Sequence, residues 1–168
     1  MESWFLINCK AGQDEKAEYN LRAQDFEVFR PKVDVGERGA GAESSNVNTR
    51  LESLFPRYLF IHLDPQVRSI APVASTPGVR GPVRFGTVYA TASEDLIEQL
   101  RADTASLSSI DPGTWEKDRP VRIDRVGFES MRATYCNPHG AERSAVLVDL
   151  LGRQARIVVP TRCIRAPS

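Results

Sequence analysis

Cysteine and long apolar runs are scarce in this chain. Only three of the 168 residues are cysteines, Cys9, Cys136 and Cys163, and no two of them form a Cys-x-x-Cys pair. This spacing excludes the common zinc and dithiol motifs, so we expect structural thiols, a reducing compartment and no metal. No apolar run approaches the roughly 20 residues that a bilayer span needs, and Met1–Trp4 lacks the basic start of a secretory signal. We therefore expect a cytoplasmic protein without membrane contact.

Catalytic motifs and net charge are also missing. The sequence contains no Gly-x-Ser-x-Gly elbow, P-loop or His-Glu-x-x-His. Of its only two histidines, we expect His62 to face solvent on a strand and His139 to lie in a turn. We predict neither an enzyme nor a cofactor. The net charge of zero argues against indiscriminate nucleic-acid binding.

Charge is nevertheless distributed unevenly along the chain. Residues 1–101 hold 12 basic and 14 acidic side chains, a net of −2, and residues 102–168 hold 10 and 8, a net of +2. The opposite signs permit attraction between the two halves.

The sequence pattern of residues 1–101 predicts an α+β domain. Hydrophobic content of 41% and charged content of 26% are typical of a globular chain. Ser93 is a good N-cap for the last helix of this part. The pattern predicts strands at Trp4–Cys9, Phe26–Phe29, Tyr58–Leu63 and Pro82–Phe85, helices at Gln13–Gln24 and after Ser93, a loop or hairpin tip at 36–50, and a short helix in 66–75 interrupted by Pro72.

Residues 119–168 predict a second unit, joined to the first by a linker at 102–118. Short strands alternate here with turn signals, which is typical of a small five-stranded β-barrel. The signals are Val121–Ile123, a turn at Gly127–Glu129, a turn at Asn137–Gly140, the apolar run Ala145–Leu151, the break at Gly152, and Ile157–Val159.

The most informative stretch is Leu54-Phe55-Pro56-Arg57-Tyr58-Leu59-Phe60. It is followed by Thr76-Pro77-Gly78-Val79 and Val83-Arg84-Phe85-Gly86. In this order the motifs resemble the N-terminal domain of the NusG family of transcription elongation factors. Residues 119–168 resemble a KOW domain. The start Ser3-Trp4-Phe5-Leu6, with Cys9-Lys10 and Gly12-Gln13, is most similar to the specialised RfaH-type antiterminators of that family.

The resemblance implies a transcription antitermination or elongation factor. Such a factor binds RNA polymerase at the clamp helices of its largest subunit and suppresses pausing. It contacts the non-template DNA strand of the elongation complex, and its C-terminal domain can couple transcription to translation at the small ribosomal subunit. We expect a monomer.

The resemblance also implies two forms of the C-terminal domain: an α-helical hairpin that packs on the N-terminal domain and masks its polymerase-binding site, and a β-barrel after release. Residues Ala141–Ala155 fit both. As a helix they place Ala145, Val148 and Leu151 near one stripe, whereas Ala145–Val148 is also a β-branched apolar run. Gly152 would cost a helix about 1 kcal/mol relative to alanine. Propensity therefore leaves both forms open.

The resemblance assigns three sets of site residues. Lys or Arg reaches phosphate, and Gln reads base edges, in the nucleic-acid set. In the interdomain set, Met131 and Tyr135 would share one helical face. The polymerase-binding set is Phe55, Pro56, Tyr58, Phe60, Phe85, Ile97 and Leu100; the interdomain set is Glu52, Arg143, Met131 and Tyr135; and the nucleic-acid set is Lys10, Gln13, Lys16 and Thr76.

The chain departs from the RfaH-type pattern in two places. Ala11, Asn20 and Pro77 stand where that pattern has basic residues or histidine, and Ser69-Ile70-Ala71 replaces the stretch that makes a second polymerase contact. Two rival functions stay open: a constitutively open general NusG paralogue, and an RNA- or ribosome-binding KOW protein that never touches polymerase.

Overall fold

A computed structural model of the protein describes residues 1–34, 51–102, 115–129, 131–139 and 143–167. The predicted loop at 36–50, most of the predicted linker and the glycine of the Asn137–Gly140 turn lie outside the described residues.

The N-terminal part is built on an antiparallel sheet with β1 at its centre. The strand order is β2-β5-β1-β6, and β9 also pairs with β1. These strands are β1 (Ser3–Cys9), β2 (Glu27–Phe29), β5 (Tyr58–Leu63), β6 (Val79–Pro82) and β9 (Thr91–Ala92). Two short ribbons flank the sheet: β3 (Lys32–Asp34) with β4 (Leu51–Ser53), and β7 (Arg84–Phe85) with β8 (Val88–Tyr89).

Both faces of this sheet are apolar, which explains the continuous hydrophobic run of β1. Phe5, Ile7 and Cys9 belong to one core cluster, and Trp4 and Leu6 belong to another. Because alternate residues of a strand point to opposite faces, the sheet must be covered on both sides.

The two helices form where the sequence signals predict them. Helix α1 (Asp14–Ala23) buries Ala17 and Leu21 in the cluster that contains Phe5. Helix α2 (Glu94–Arg101) is capped by the Ser93 hydroxyl, which accepts from the Leu96 N–H at 3.2 Å. Between them, the short helix is a 3-10 turn at Ala71–Ser75, and Pro72 starts it rather than interrupting it.

The C-terminal part is a five-stranded antiparallel sheet in the order β13-β12-β11-β10-β14. Its strands are β10 (Pro120–Ile123), β11 (Ala133–Pro138), β12 (Arg143–Leu150), β13 (Arg153–Pro160) and β14 (Ile164–Arg165). Strands β12 and β13 form a hairpin that turns through Leu151 and Gly152 alone. Both turn residues have a left-handed backbone, with φ of 50° and 86°.

The structure selects the strand form of the C-terminal segment. Between Ala141 and Ala155, the described residues form β12, the two-residue turn and the start of β13. This structure contains the strand alternative and not the helical one, and the helical face proposed for Met131 and Tyr135 is not formed in it, because Met131 precedes β11 and Tyr135 lies within it. Eight cross-strand pairs join β12 to β13 and stabilise the strand form. Residue propensities do not reveal such pairing.

Candidate partner-binding surface

Most of the predicted polymerase-binding residues lie on the side of the N-terminal sheet that carries Trp4 and Leu6. Phe55 and Phe60 are both 0% exposed, as is Ile97 of α2, and Leu100 is 6% exposed. The four residues share one hydrophobic cluster with Trp4 and Leu6 of β1, and Tyr58 packs half-buried at its edge. Pro56 is exposed. We call this surface the docking face.

The C-terminal part covers the docking face. Phe128 is fully buried, and its ring centroid lies 5.6 Å from that of Phe55. A Cβ added to the neighbouring Gly127 would lie 2.7 Å from Cδ2 of Leu100. Gly127 also has a φ of +91°, so the close approach and the backbone both favour glycine.

The tip of the β12–β13 hairpin makes a second contact. A Cβ on Gly152 would lie 3.0 Å from Cζ of Phe85, a residue that is 48% exposed. The guanidinium of Arg153 lies 5.6 Å from the centroid of the same ring, within the range of a cation–π contact.

Leu151 occupies an unfavourable position in this tip. A left-handed conformation costs a residue with a Cβ roughly 1–2 kcal/mol, and two-residue hairpins favour Asn, Asp or Gly there. Leu151 is nevertheless half-buried against the cluster of the docking face. Burial of the Leu151 side chain in this cluster offsets the backbone cost, and the approach of Gly152 to Phe85 makes the tip a contact element as well as a turn.

A cavity of about 250 Å³ lies beside this contact, between α2 and the C-terminal sheet. Met131, the predicted masking residue, lines it and packs half-buried against the docking-face cluster. Tyr135 is 5% exposed in the same cluster. The lining residues are Leu96, Met131, Arg132, Asp149, Leu151 and Gly152.

Glu52 and Arg143, the predicted interdomain pair, lie in β4 and at the start of β12. Each of them takes part in an interaction. Their partnership with each other stays a prediction.

The predicted nucleic-acid residues divide into two groups. Lys10 and Lys16 are exposed and Gln13 is half-buried, in the turn before α1 and in its first helical turn. The turn closes through a hydrogen bond from the Gln13 N–H to the Lys10 carbonyl, 3.0 Å. Thr76 is only 3% exposed; its hydroxyl accepts from Gln24 Nε2 at 2.8 Å and donates to the Pro72 carbonyl at 3.2 Å. A buried, doubly bonded hydroxyl offers little to DNA, so we leave Thr76 out of the candidate surface.

Two cysteines are structural thiols. Burial raises the pKa of Cys9 to about 12, with Asp14 adding to the shift and Arg30 and Arg57 opposing it. Burial also raises the pKa of Cys163. The cysteines are free thiols, and among the residues that the structure describes no cluster of His, Cys, Asp and Glu could hold a metal ion.

His62 differs from the prediction of a solvent-facing side chain. Its ring stacks on Trp4 at a centroid distance of 4.7 Å, and Nδ1 lies 3.0 Å from Oε2 of Glu27.

In the described part of the chain, no helix is long and apolar enough to span a bilayer.

Apart from Met131 and Tyr135, sequence reasoning missed the C-terminal residues that cover the docking face. Gly127, Phe128 and Gly152 were visible only as turn signals, and Leu151 only as the end of an apolar run. The available hint was composition: Phe128 and Leu151 are large apolar residues at turns, where polar residues are usual.

Comparisons with known proteins agree on one family. The profile described as "Transcription termination factor nusG" matches residues 2–101. The "Transcription termination/antitermination protein NusG" of Thermus thermophilus is 31% identical over 111 residues, which is 58% of this chain and 59% of that protein. The match thus spans about three fifths of the curated relative. A solved structure described as "Domain interaction in Thermotoga maritima NusG" superposes with a TM-score of 0.58, covering 100% of this chain and 98% of that one at 16% identity, which shows a similar fold.

Proposed function

The chain belongs to the NusG family, and from this premise we propose that it is a transcription elongation factor whose docking face binds RNA polymerase. The N-terminal family match covers all seven residues of the predicted polymerase-binding set, from Phe55 to Leu100. We also propose residues 1–101 as the binding domain and residues 119–168 as a KOW-type domain, joined by the linker at 102–118. Trp115, within the proposed linker, packs half-buried against the hydrophobic cluster that contains the docking face.

The observation that carries this proposal is the buried contact between Phe55 and Phe128. A contiguous apolar face, if left open, would be an association site or an aggregation liability. The C-terminal sheet therefore acts as a mask. Polymerase reaches the docking face only when the two parts separate, so its apparent affinity is reduced by the open fraction.

The mask favours a regulated factor over a constitutively open paralogue. The relative from Thermotoga maritima is also described by an interaction between its domains. In our proposal the mask is a β-sheet that detaches as a unit, with no change of fold. The freed sheet would then be available to a second partner, for which the small ribosomal subunit is the candidate from the family resemblance.

An RfaH-type antiterminator that suppresses pausing, contacts non-template DNA near Lys10 and Gln13, and refolds its C-terminal domain is the second candidate. The near-equal helix and strand propensities of residues 141–155 favour it. NMR secondary shifts of Ala145–Leu150 in the intact chain separate the two candidates. Strand shifts support detachment as a folded unit, whereas helical shifts support refolding.

Truncation of aromatic side chains in the predicted polymerase-binding set tests polymerase binding itself. In a fragment of residues 1–102, where no mask interferes, Phe85→Ala and Tyr58→Ala should each weaken polymerase binding at least tenfold, because large aromatic anchors dominate such interfaces. Val67→Ala is the matched control, since Val67 is an 85% exposed apolar side chain outside the docking face. Fluorescence anisotropy with labelled fragment gives the affinities. Equal affinity of the folded aromatic variants and the parent fragment would refute the assignment.

A further inference from the structure

The cavity between α2 and the C-terminal sheet has no part in the proposed polymerase contact. Its volume is about 250 Å³, whereas roughly 150 Å³ is enough to hold a benzene molecule in an engineered protein cavity. Most cofactors and drug-sized ligands occupy pockets of about 300–1,000 Å³, so this cavity suits a smaller molecule. Leu96 is its lining residue from the N-terminal part. A molecule that fills the cavity would therefore touch both parts of the chain.

The buried wall of the cavity is apolar. Leu96, Met131 and Leu151 line it, and all three are partly buried side chains packed against the docking-face cluster. Because methionine is flexible and polarisable, Met131 can adjust to the shape of a ligand. These three side chains offer a contact surface for a single aliphatic group.

The exposed side of the cavity carries one positive and one negative group. The side chains of Arg132 and Asp149 are 92% and 40% exposed, and Nη2 of Arg132 lies 3.9 Å from Oδ2 of Asp149. That separation is too long for a hydrogen bond, so both groups keep hydrogen-bonding capacity for a ligand. The other carboxylate oxygen, Oδ1, accepts from the Gly152 N–H at 3.0 Å, which holds the carboxylate beside the cavity.

This combination of groups fits a zwitterion with an apolar side chain. A ligand carboxylate would accept from the Arg132 guanidinium in a bidentate pair, and a ligand ammonium would donate to Oδ2 of Asp149. Two close ion pairs would then replace one loose one. A ligand with only a carboxylate would leave Asp149 without a counter-charge, and a ligand with only an ammonium group would do the same to Arg132.

We propose that this cavity binds a free apolar α-amino acid such as leucine, and that the bound amino acid holds the mask closed. The closing effect rests on the proposed function. Because the cavity is complete only while α2 contacts the C-terminal sheet, the amino acid binds the masked form in preference to the open one. At a concentration ten times its Kd, it should lower the apparent polymerase affinity about tenfold.

The two methionines of the chain test the site without polymerase. Met131 lines the cavity, and Met1, which is 91% exposed, is an internal control. In NMR spectra of intact protein with isotope-labelled methionine methyl groups, leucine should shift the Met131 signal saturably and leave the Met1 signal in place. We expect a Kd of about 1 mM, because so small a ligand makes few contacts. Leucinamide, which lacks the carboxylate, and isocaproate, which lacks the ammonium group, should each bind at least fivefold more weakly.

Two substitutions separate the charged contacts. Arg132→Gln should weaken leucine binding at least fivefold and remove the preference for leucine over leucinamide. Asp149→Asn should remove the preference for leucine over isocaproate, while its amide oxygen still accepts from the Gly152 N–H. Arg80→Gln is the matched control, because Arg80 is exposed on β6 and lies outside the cavity lining; it should change the Kd less than twofold. Arg132→Gln alone serves where Asp149→Asn fails to fold, since Arg132 is exposed.

Several results would overturn the proposal. They are a Met131 signal that does not respond to leucine at about twenty times the expected Kd, equal shifts of both methionine signals, equal affinities for leucine, leucinamide and isocaproate, and an Arg132→Gln variant that binds like the control. Polymerase affinity that stays unchanged when the protein is saturated with leucine would overturn the closing effect. By contrast, a chain that binds no polymerase with or without leucine would refute the proposed function and not the amino-acid site.

Discussion

At the scale of single residues, sequence signals predicted the structure where neighbouring residues alone satisfy them. The Ser93 cap and the Pro72 start of a 3-10 turn need only neighbouring backbone. The surroundings of Thr76 and His62 were predicted less well, because they depend on partners that are distant in the sequence. Thr76 is bound by Gln24 across 52 positions, and His62 stacks on Trp4 of the adjacent strand.

The three thiols should differ in reactivity. At pH 8 a thiol with a pKa of about 12 has roughly one thiolate in ten thousand, and Cys9 and Cys163 are also buried. Cys136 is partly exposed, so Ellman's reagent should titrate one thiol quickly and the other two only after unfolding. Three thiols reacting at equal rates in the native protein would contradict the burial of Cys9 and Cys163.

The raised pKa of Cys9 also has a consequence for stability. The folded state favours the neutral thiol, so its contribution is fully present below the ordinary value of 9.0 and is lost as pH rises toward 12. The free energy of unfolding should therefore fall between pH 9 and 12. The free energy of unfolding of the Cys9→Ala variant should fall less steeply over the same range.

At the scale of elements, the two helices and strands β1, β2 and β5 could be predicted closely, whereas the predicted strand Pro82–Phe85 is divided between β6 and β7. Strand β5 begins and ends where its pattern indicates, at Tyr58 and Leu63. The segment around Ala145–Leu150 could not be assigned, because its apolar residues satisfy both helical and strand spacing. Pairing with β11 and β13 decides it, and pairing is a property of the folded chain.

The hairpin tip offers a test of one contact element. Gly152→Ala places a methyl group against the Phe85 ring, at a φ of +86°. Gly12→Ala is the matched control, since its φ is +70° and nothing lies within 4 Å. Both variants should lose about 1 kcal/mol of stability from the backbone alone. Only Gly152→Ala should shift the amide resonances of Phe85 and Leu96 toward those of a 1–102 fragment; equal shifts in both variants would show that the tip does not hold the contact.

At the scale of the whole molecule, the sequence indicated two parts with complementary charge and a docking face in the first. The family resemblance also implied that a second part masks this face. It could not show that the mask is a sheet, because that depends on Gly127 and Phe128 meeting Leu100 and Phe55 across more than 25 positions. The central claim is that the docking face is covered in the intact chain and must be uncovered before polymerase binds.

A reversible crosslink between the two parts tests this claim most directly. A Cβ on Gly127 would lie 3.1 Å from Cγ of Leu100, the position that a cysteine sulfur would take, so Leu100→Cys with Gly127→Cys is suited to a disulfide. Polymerase affinity of the same protein is measured by anisotropy before and after reduction, with each single cysteine variant as a control. We predict that the oxidised double variant binds polymerase at least tenfold more weakly than its reduced form, while the single variants do not respond to reductant. Equal affinity of the oxidised and reduced double variant would contradict the account.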